Sequence, residues 1–355
     1  MHPERRGWGA FGAFTLSGDL PRERELAAIE AKLATLNFEG AFLTGCAAEV
    51  SALRAAWQEC ATRIYGNLEP WETVFVARHP QRPLVTDYIH HIVQDFCELH
   101  GDRSFGDDPA VVTGLGYIGV HRVMVVGHNR GRSLQERVAC HFGCAHPEGY
   151  RKALAKMRIA AKFGIPIVSL IDTPGAYPGM EAEERGIAQA IAANLAAMPR
   201  MRVPLVAVVI GEGGSGGALG IAVADRMAML QHSIFSVISP EGCSAILWKD
   251  GSEAKSAASA LKMRAEDLCS LGLVDEILPE PLGGAHRNHA ETAATVRSFV
   301  VRTLEELSQF STDQLIERRH HRLRTLGASY EQACTSRDAI GRASLPTQVG
   351  RRISA

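Results

Sequence analysis

Two stretches decide how this chain folds: Pro166-Ile-Val-Ser-Leu-Ile-Asp-Thr-Pro-Gly-Ala-Tyr-Pro-Gly179 and Pro204-Leu-Val-Ala-Val-Val-Ile-Gly-Glu-Gly-Gly-Ser-Gly-Gly217. Each opens on a short apolar run and closes on a glycine-rich segment. Short apolar runs bounded by Pro and Gly read as buried strands, here Pro166 to Ile171 and Pro204 to Ile210. Between them, Glu183 to Met198 carries Ile187, Ile191 and Leu195 on one stripe, the pattern of a helix packed on one side. Tyr150 to Lys162 reads as a helix before the first strand, and Ala218 to Ala224 as a small-residue helix after the second. Strands at Met227–Leu230 and Ile234–Ile238 and a helix at Pro240–Trp248 continue the rhythm. Such alternation calls for βαβ units with right-handed crossovers, hence an α/β architecture. Both glycine-rich loops leave the carboxyl end of a strand, so they are expected together on one edge, where α/β ligands bind.

Upstream, Thr86 to Leu99 reads as an amphipathic helix with Tyr88, Ile89, Ile92, Val93 and Phe96 on its apolar side. Val111–Ile118 and Arg122–Gly127 read as two strands around a tight turn at Gly119. Further back, Leu26, Ile29 and Leu33 mark a helix within 21–67, and Val50, Leu53, Ala56, Trp57 and Ala61 mark a second. Residues 1 to about 20 read as a loose arm. Downstream, Ala290 to Leu326 is helical and polar, with Ser311 and Gln314 spaced as a capping box. The expected organisation is an arm and helical region over 1–68, a main domain over 69–303, a C-terminal helix over 304–327 and a disordered tail over 328–355.

Composition narrows the function. The net charge of −1 gives no support to nucleic-acid binding, which needs a broad basic excess. Eight cysteines are scattered without a CxxC pair, which predicts a reducing cytosol rather than a disulfide framework. The first residues lack the apolar h-region of a secretory signal, and no run approaches the ~20 apolar residues of a membrane span. A cytoplasmic protein is the expectation.

The glycines of 211–217 let a backbone approach a ligand closely, and their amides lead into a helix N-terminus that favours negative charge. The Asp172–Gly179 loop occupies the same position after its strand. Together they suit an enolate or oxyanion better than a metal. The same glycines would also serve close strand–helix packing. No Gly-Lys-Ser/Thr follows, which argues against a phosphate loop. Residues 213–217 fit G-x-S-x-G, the nucleophile elbow of α/β-hydrolases, so Ser215 is a second reading. Cys140, His141, Cys144 and His146 suit no common zinc spacing, and packing is the simpler account. Arg318, Arg319, Arg322 and Arg324, with His320 and His321, read as a solvated helix face.

In order along the chain stand Arg78-His-Pro-Gln-Arg-Pro83, Gly101-Asp-Arg103, Pro147-Glu-Gly-Tyr-Arg-Lys-Ala153, Asp172 to Gly179, Glu183-Glu-Arg-Gly186, Gly211 to Gly217, Val237-Ile-Ser-Pro-Glu-Gly242 and Glu280-Pro-Leu-Gly-Gly-Ala-His286. Over about residues 70 to 327 the chain resembles the carboxyltransferase alpha subunits of multi-subunit acetyl-CoA carboxylases. The resemblance implies a crotonase/ClpP-like spiral of ββα units with an N-terminal helical extension. It also implies an α2β2 carboxyltransferase whose zinc ribbon sits on the beta subunit, with no metal on this chain. Carboxybiotin would arrive on a biotin carboxyl carrier protein, charged by a separate biotin carboxylase that alone uses ATP. Acetyl-CoA would become malonyl-CoA, the committed step of fatty-acid synthesis. The implied oxyanion donors are the amides of Gly216, Gly217, Gly175 and Ala176. Gly213, Gly214, Ser215, Tyr177, Pro178 and Gly179 would line the biotin site. The chain departs from this family between Gly131 and Pro147, where relatives are richer in Lys and Arg. Its first 65 residues match less well, and the tail past Gly327 is extra.

Overall fold

The computed structural model describes residues 20–39 and 47–327; most of the expected arm and the whole expected tail lie outside them. The described chain begins, after a short turn at Pro21–Glu23, with α1 (Arg24–Glu39), α2 (Ala47–Tyr65), α3 (Pro70–Ala77) and α4 (Val85–Ile92). Strands β1 (Gln94–Glu98), β2 (Val111–Ile118) and β3 (His121–His128) follow, then α5 (Leu134–Ala139), α6 (Pro147–Lys162) and β4 (Ile167–Thr173). Next come α7 (Met180–Glu184), α8 (Ile187–Ala197), β5 (Leu205–Gly214), α9 (Ser215–Ala222), β6 (Arg226–Leu230) and β7 (Ile234–Ser236). The described chain ends with α10 (Pro240–Leu247), α11 (Ala254–Leu261), α12 (Ala265–Ser270), β8 (Glu276–Leu278), α13 (His289–Leu307) and α14 (Thr312–Thr325).

The strands form one sheet in the order β1-β2-β3-β4-β5-β6-β8, with β7 pairing the far end of β5. β1, β2 and β3 run antiparallel as a meander, whereas β3, β4, β5, β6 and β8 are parallel. The central strands are apolar on both faces because both faces are covered. Met124, Val126, Ile167, Ile171, Ala207 and Val209 point to the side packed by α6, α8 and α9. Their neighbours in sequence, Val123, Val125, Val168, Leu170, Val206 and Val208, point to the side packed by α4 and α13. The two-residue period of a strand thus feeds two cores. A third cluster joins α1 and α2 to the main body through Leu26, Cys60, Ile64, Tyr65 and Val76.

Four expectations change in detail. The helix read over Thr86–Leu99 stops at Ile92, and Gln94–Glu98 is strand β1, paired with β2. Tyr88, Ile89 and Ile92 do form its buried stripe, but Phe96 belongs to the strand and lies over Gly114. The helix read over Glu183–Met198 is broken at Gly186, whose φ of 77° is left-handed. The Gly211–Gly214 segment is strand rather than loop, because Glu212, Gly213 and Gly214 pair with Ile234, Phe235 and Ser236 of β7. Arg319 does not lie on a solvated face: it is 1% exposed and donates to both oxygens of Asp225 at 2.8 and 2.7 Å. The turn at Gly119, with φ of 61°, and the Ser311–Gln314 capping box stand as read.

Candidate active site

β4 and β5 are hydrogen-bonded neighbours, so the segments that leave their carboxyl ends meet. β5 runs on through Gly214 and turns at Ser215, whose φ is 49°, directly into α9. The chain after β4 folds back over that turn. Its approach is so close that a Cβ at Gly214 would overlap the Pro174 carbonyl, and one at Gly217 would lie 2.5 Å from the Ala176 nitrogen. At these two positions glycine is a packing requirement, the plainer of the two roles read from the sequence. Gly216 differs, since a Cβ there would meet nothing nearer than Ile191 Cδ1 at 3.9 Å.

Gly216 and Gly217 occupy the first turn of α9, where amides have no intrahelical acceptor, and no side chain caps this helix. Ala176 lies in the strand-end segment packed against them. The amide expected at Gly175 is already committed, for it donates to Thr173 Oγ1 at 3.1 Å. That hydroxyl's single proton has two acceptors in reach, the Gly143 and Gly175 carbonyls at 2.7 and 2.8 Å. Gly175 therefore shapes the loop, and of the four amides expected as donors those of Ala176, Gly216 and Gly217 remain candidates. Ser215 is exposed, and among the described residues its hydroxyl has no His or carboxylate partner. Gly213 and Gly214 are buried within β5, whereas Tyr177 and Gly179 are partly exposed and Pro178 is exposed.

At the ends of β4 and β5 lies a buried ionic network that the sequence reading missed. Arg78 donates to Glu212 at 2.6 Å and to Glu241 at 2.6 Å. Arg130 donates to Asp172 at 3.2 Å and to Glu212 at 3.4 Å, while the Glu212 amide donates to Asp172 Oδ1 at 3.0 Å. Arg82 bridges Glu280 to the Ile210 carbonyl of β5. Burial alone would raise the pKa of Glu212, but Arg78 and Arg130 outweigh it and hold the carboxyl below its usual range. At Asp172 burial wins and the pKa is raised. The network pins the ends of β4 and β5. Its sequence signal was a lone acid inside a glycine run and another closing an apolar strand, each needing a buried partner.

Comparisons with known proteins bear on the family and the fold. The acetyl co-enzyme A carboxylase carboxyltransferase-like family matches residues 19–327, so the N-terminal helices fall inside the family pattern despite their weaker motif agreement. The chain is 48% identical over 311 residues to the acetyl-coenzyme A carboxylase carboxyl transferase subunit alpha of Rhodopirellula baltica, covering 88% of this chain and 98% of that one. It is 53% identical over 268 residues to the corresponding subunit of Geobacter sulfurreducens, covering 76% and 84%. Among solved structures, transcarboxylase 12S superposes with a TM-score of 0.53 at 22% identity, over 63% of this chain and 41% of that one. A Pseudomonas malonate decarboxylase hetero-tetramer in complex with coenzyme A gives a TM-score of 0.53 at 18% identity, over 66% and 92%. These two likenesses establish the crotonase-like fold. On sequence and fold together, the chain belongs to the family of acetyl-coenzyme A carboxylase carboxyltransferase alpha subunits.

Proposed function

We propose that this chain transfers the carboxyl group from carboxybiotin to acetyl-CoA, giving malonyl-CoA in the first committed step of fatty-acid synthesis. One observation carries the reading at the level of the site: the first-turn amides of α9, which no side chain caps, lie beside Ala176, and a Cβ at Gly216 would meet only Ile191 Cδ1 at 3.9 Å. A planar, amide-like ureido group fits such a cradle, which offers donors and no metal ligands. Bound carboxybiotin supplies the carboxyl group and, after its departure, a ring nitrogen able to take a proton from acetyl-CoA. This chain's part is electrostatic. The amides of Gly216, Gly217 and Ala176 donate to the ureido oxygen as negative charge builds there, each donor worth ~3–4 kcal/mol in comparable oxyanion holes. Gly213, Gly214 and Ser215 carry the turn, and Tyr177, Pro178 and Gly179 wall the site. No His or Glu of this chain has to act as base.

The reaction needs a second oxyanion hole, for the thioester, and the reading assigns it and most CoA contacts to a zinc-ribbon beta subunit in an α2β2 assembly. The carrier protein delivers carboxybiotin, and a biotin carboxylase recharges it with ATP in the cytoplasm. The test is malonyl-CoA formation by the purified chain with and without candidate beta subunits. Activity is expected only in the complex; activity of the chain alone would overturn the division of labour. The strained backbone at Ser215 favours one rival, a hydrolase built on a nucleophile elbow. Against it, no His is placed to activate that hydroxyl among the described residues.

A further inference from the structure

The segment from Cys140 to His146, weighed above as a metal site, is put to another use. Cys140 is buried and donates its thiol to the Pro109 carbonyl at 3.5 Å, and Cys144 is 2% exposed. The two histidines instead pack on Tyr177 of the candidate site. The His146 ring stacks on the Tyr177 ring with centroids 4.1 Å apart and planes at 25°. His141 meets both edge-on, at 4.3 Å to His146 and 5.3 Å to Tyr177. Two further ties join the same stretches: the Tyr177 amide donates to the Ala145 carbonyl at 3.0 Å, and Thr173 Oγ1 donates to the Gly143 carbonyl.

His146 is itself held. Its amide donates to Asp108 Oδ2 at 2.7 Å, and its Nδ1 lies 2.9 Å from an Arg185 nitrogen. A guanidinium can only donate, so Nδ1 is the acceptor and the imidazole is neutral, with its proton on Nε2. Arg185 is fixed by Glu148 at 2.6 Å. We propose that His146 is a positioning residue: by stacking on Tyr177 it fixes the loop that presents the Ala176 amide. The idea rests on the carboxyltransferase reading for its consequence, but the anchoring itself is a property of this chain alone.

The test compares His146→Ala with His146→Phe. Phenylalanine keeps an aromatic ring on Tyr177 and gives up only the acceptor for Arg185, whose side chain is 24% exposed and so open to water. In the complex with the beta subunit, His146→Ala should lower kcat by about tenfold with KM for acetyl-CoA changed less than about twofold, because a displaced donor costs the transition state more than the ground state. His146→Phe should recover kcat to within about threefold of the parent. Hydrogen exchange of the isolated chain should be faster over residues 173–179 in the alanine variant and near parental in the phenylalanine variant. Unchanged exchange in His146→Ala, or a phenylalanine variant as impaired as alanine, would overturn the proposal. A parent complex that makes no malonyl-CoA would sink the functional reading instead, and the exchange result would still decide the anchor.

Discussion

A Cβ at Gly217 would press on the Gly175–Ala176 backbone, while one at Gly216 would only touch Ile191 Cδ1 at an ordinary 3.9 Å. Two adjacent glycines therefore carry different constraints, and alanine separates them. Gly217→Ala should destabilise the fold by ~1–3 kcal/mol, the usual cost of overpacking, seen as a lower thermal midpoint. Gly216→Ala should unfold within ~0.5 kcal/mol of the parent yet lose carboxyltransferase activity, because in the proposed function its methyl crowds the ureido group. Equal loss of stability in both would contradict the assigned geometry. The glycine run was legible as a place of close approach, but not which glycine the protein itself crowds and which it leaves room beside. That distinction depends on where the β4 loop crosses, as does the engagement of the Gly175 amide by Thr173. The partners of Glu212 lie far away in sequence, at Arg78 and Arg130, and no local pattern pairs them.

Helix α14 shows the same division at the next scale. Its capping box and polar composition were plain, and four basic residues looked like one solvated face. Arg319 nonetheless follows Leu315 by four residues, and Leu315 is 4% exposed, so the two share the buried stripe. Arg319 also donates to the carbonyls of Met201 and Val203 at 2.7 and 2.8 Å, while its partner Asp225 accepts from the Leu205 amide at the start of β5. The pair latches the C-terminal helix to the central strand. Arg319→Met should lower stability by ~3–5 kcal/mol in denaturant unfolding, since it strands a buried carboxylate. A loss below ~1 kcal/mol would show the latch to be solvated. The misread helix at 86–99 has an equally physical cause. Phe96 continues the helical stripe of Tyr88, Ile89 and Ile92, and only the edge of β2, supplying partners for Gln94–Glu98, makes that stretch a strand.

Across the molecule, the parallel sheet was legible because its central strands open on apolar runs, and β7 was read within Ile234–Ile238, while the polar β1 was taken for helix and the brief β8 was not read. The loop before β2 adds a pH signature to the whole fold. Burial would raise the pKa of Asp102, but Arg151 and the amides of Ser104, Phe105 and Gly106 outweigh it and hold the carboxyl at about 2. A folded pKa below the unfolded value of ~3.9 contributes stability that is present above about pH 4 and lost as pH falls toward 2. Asp102→Asn should accordingly unfold more easily than the parent at neutral pH, with the gap in thermal midpoints closing as pH approaches 2. A gap that stayed constant would deny the carboxylate this role. The account as a whole stands on backbone amides doing the chemistry at the start of α9. Its most direct test is malonyl-CoA formation by folded variants bound to the beta subunit. Ser215→Ala should keep activity within about threefold of the parent, and Gly216→Val should lose ~10²-fold or more, because a branched side chain blocks the ureido group and restricts the backbone that presents the donors. An inactive Ser215→Ala beside an active Gly216→Val would contradict the account and place the chemistry on the hydroxyl.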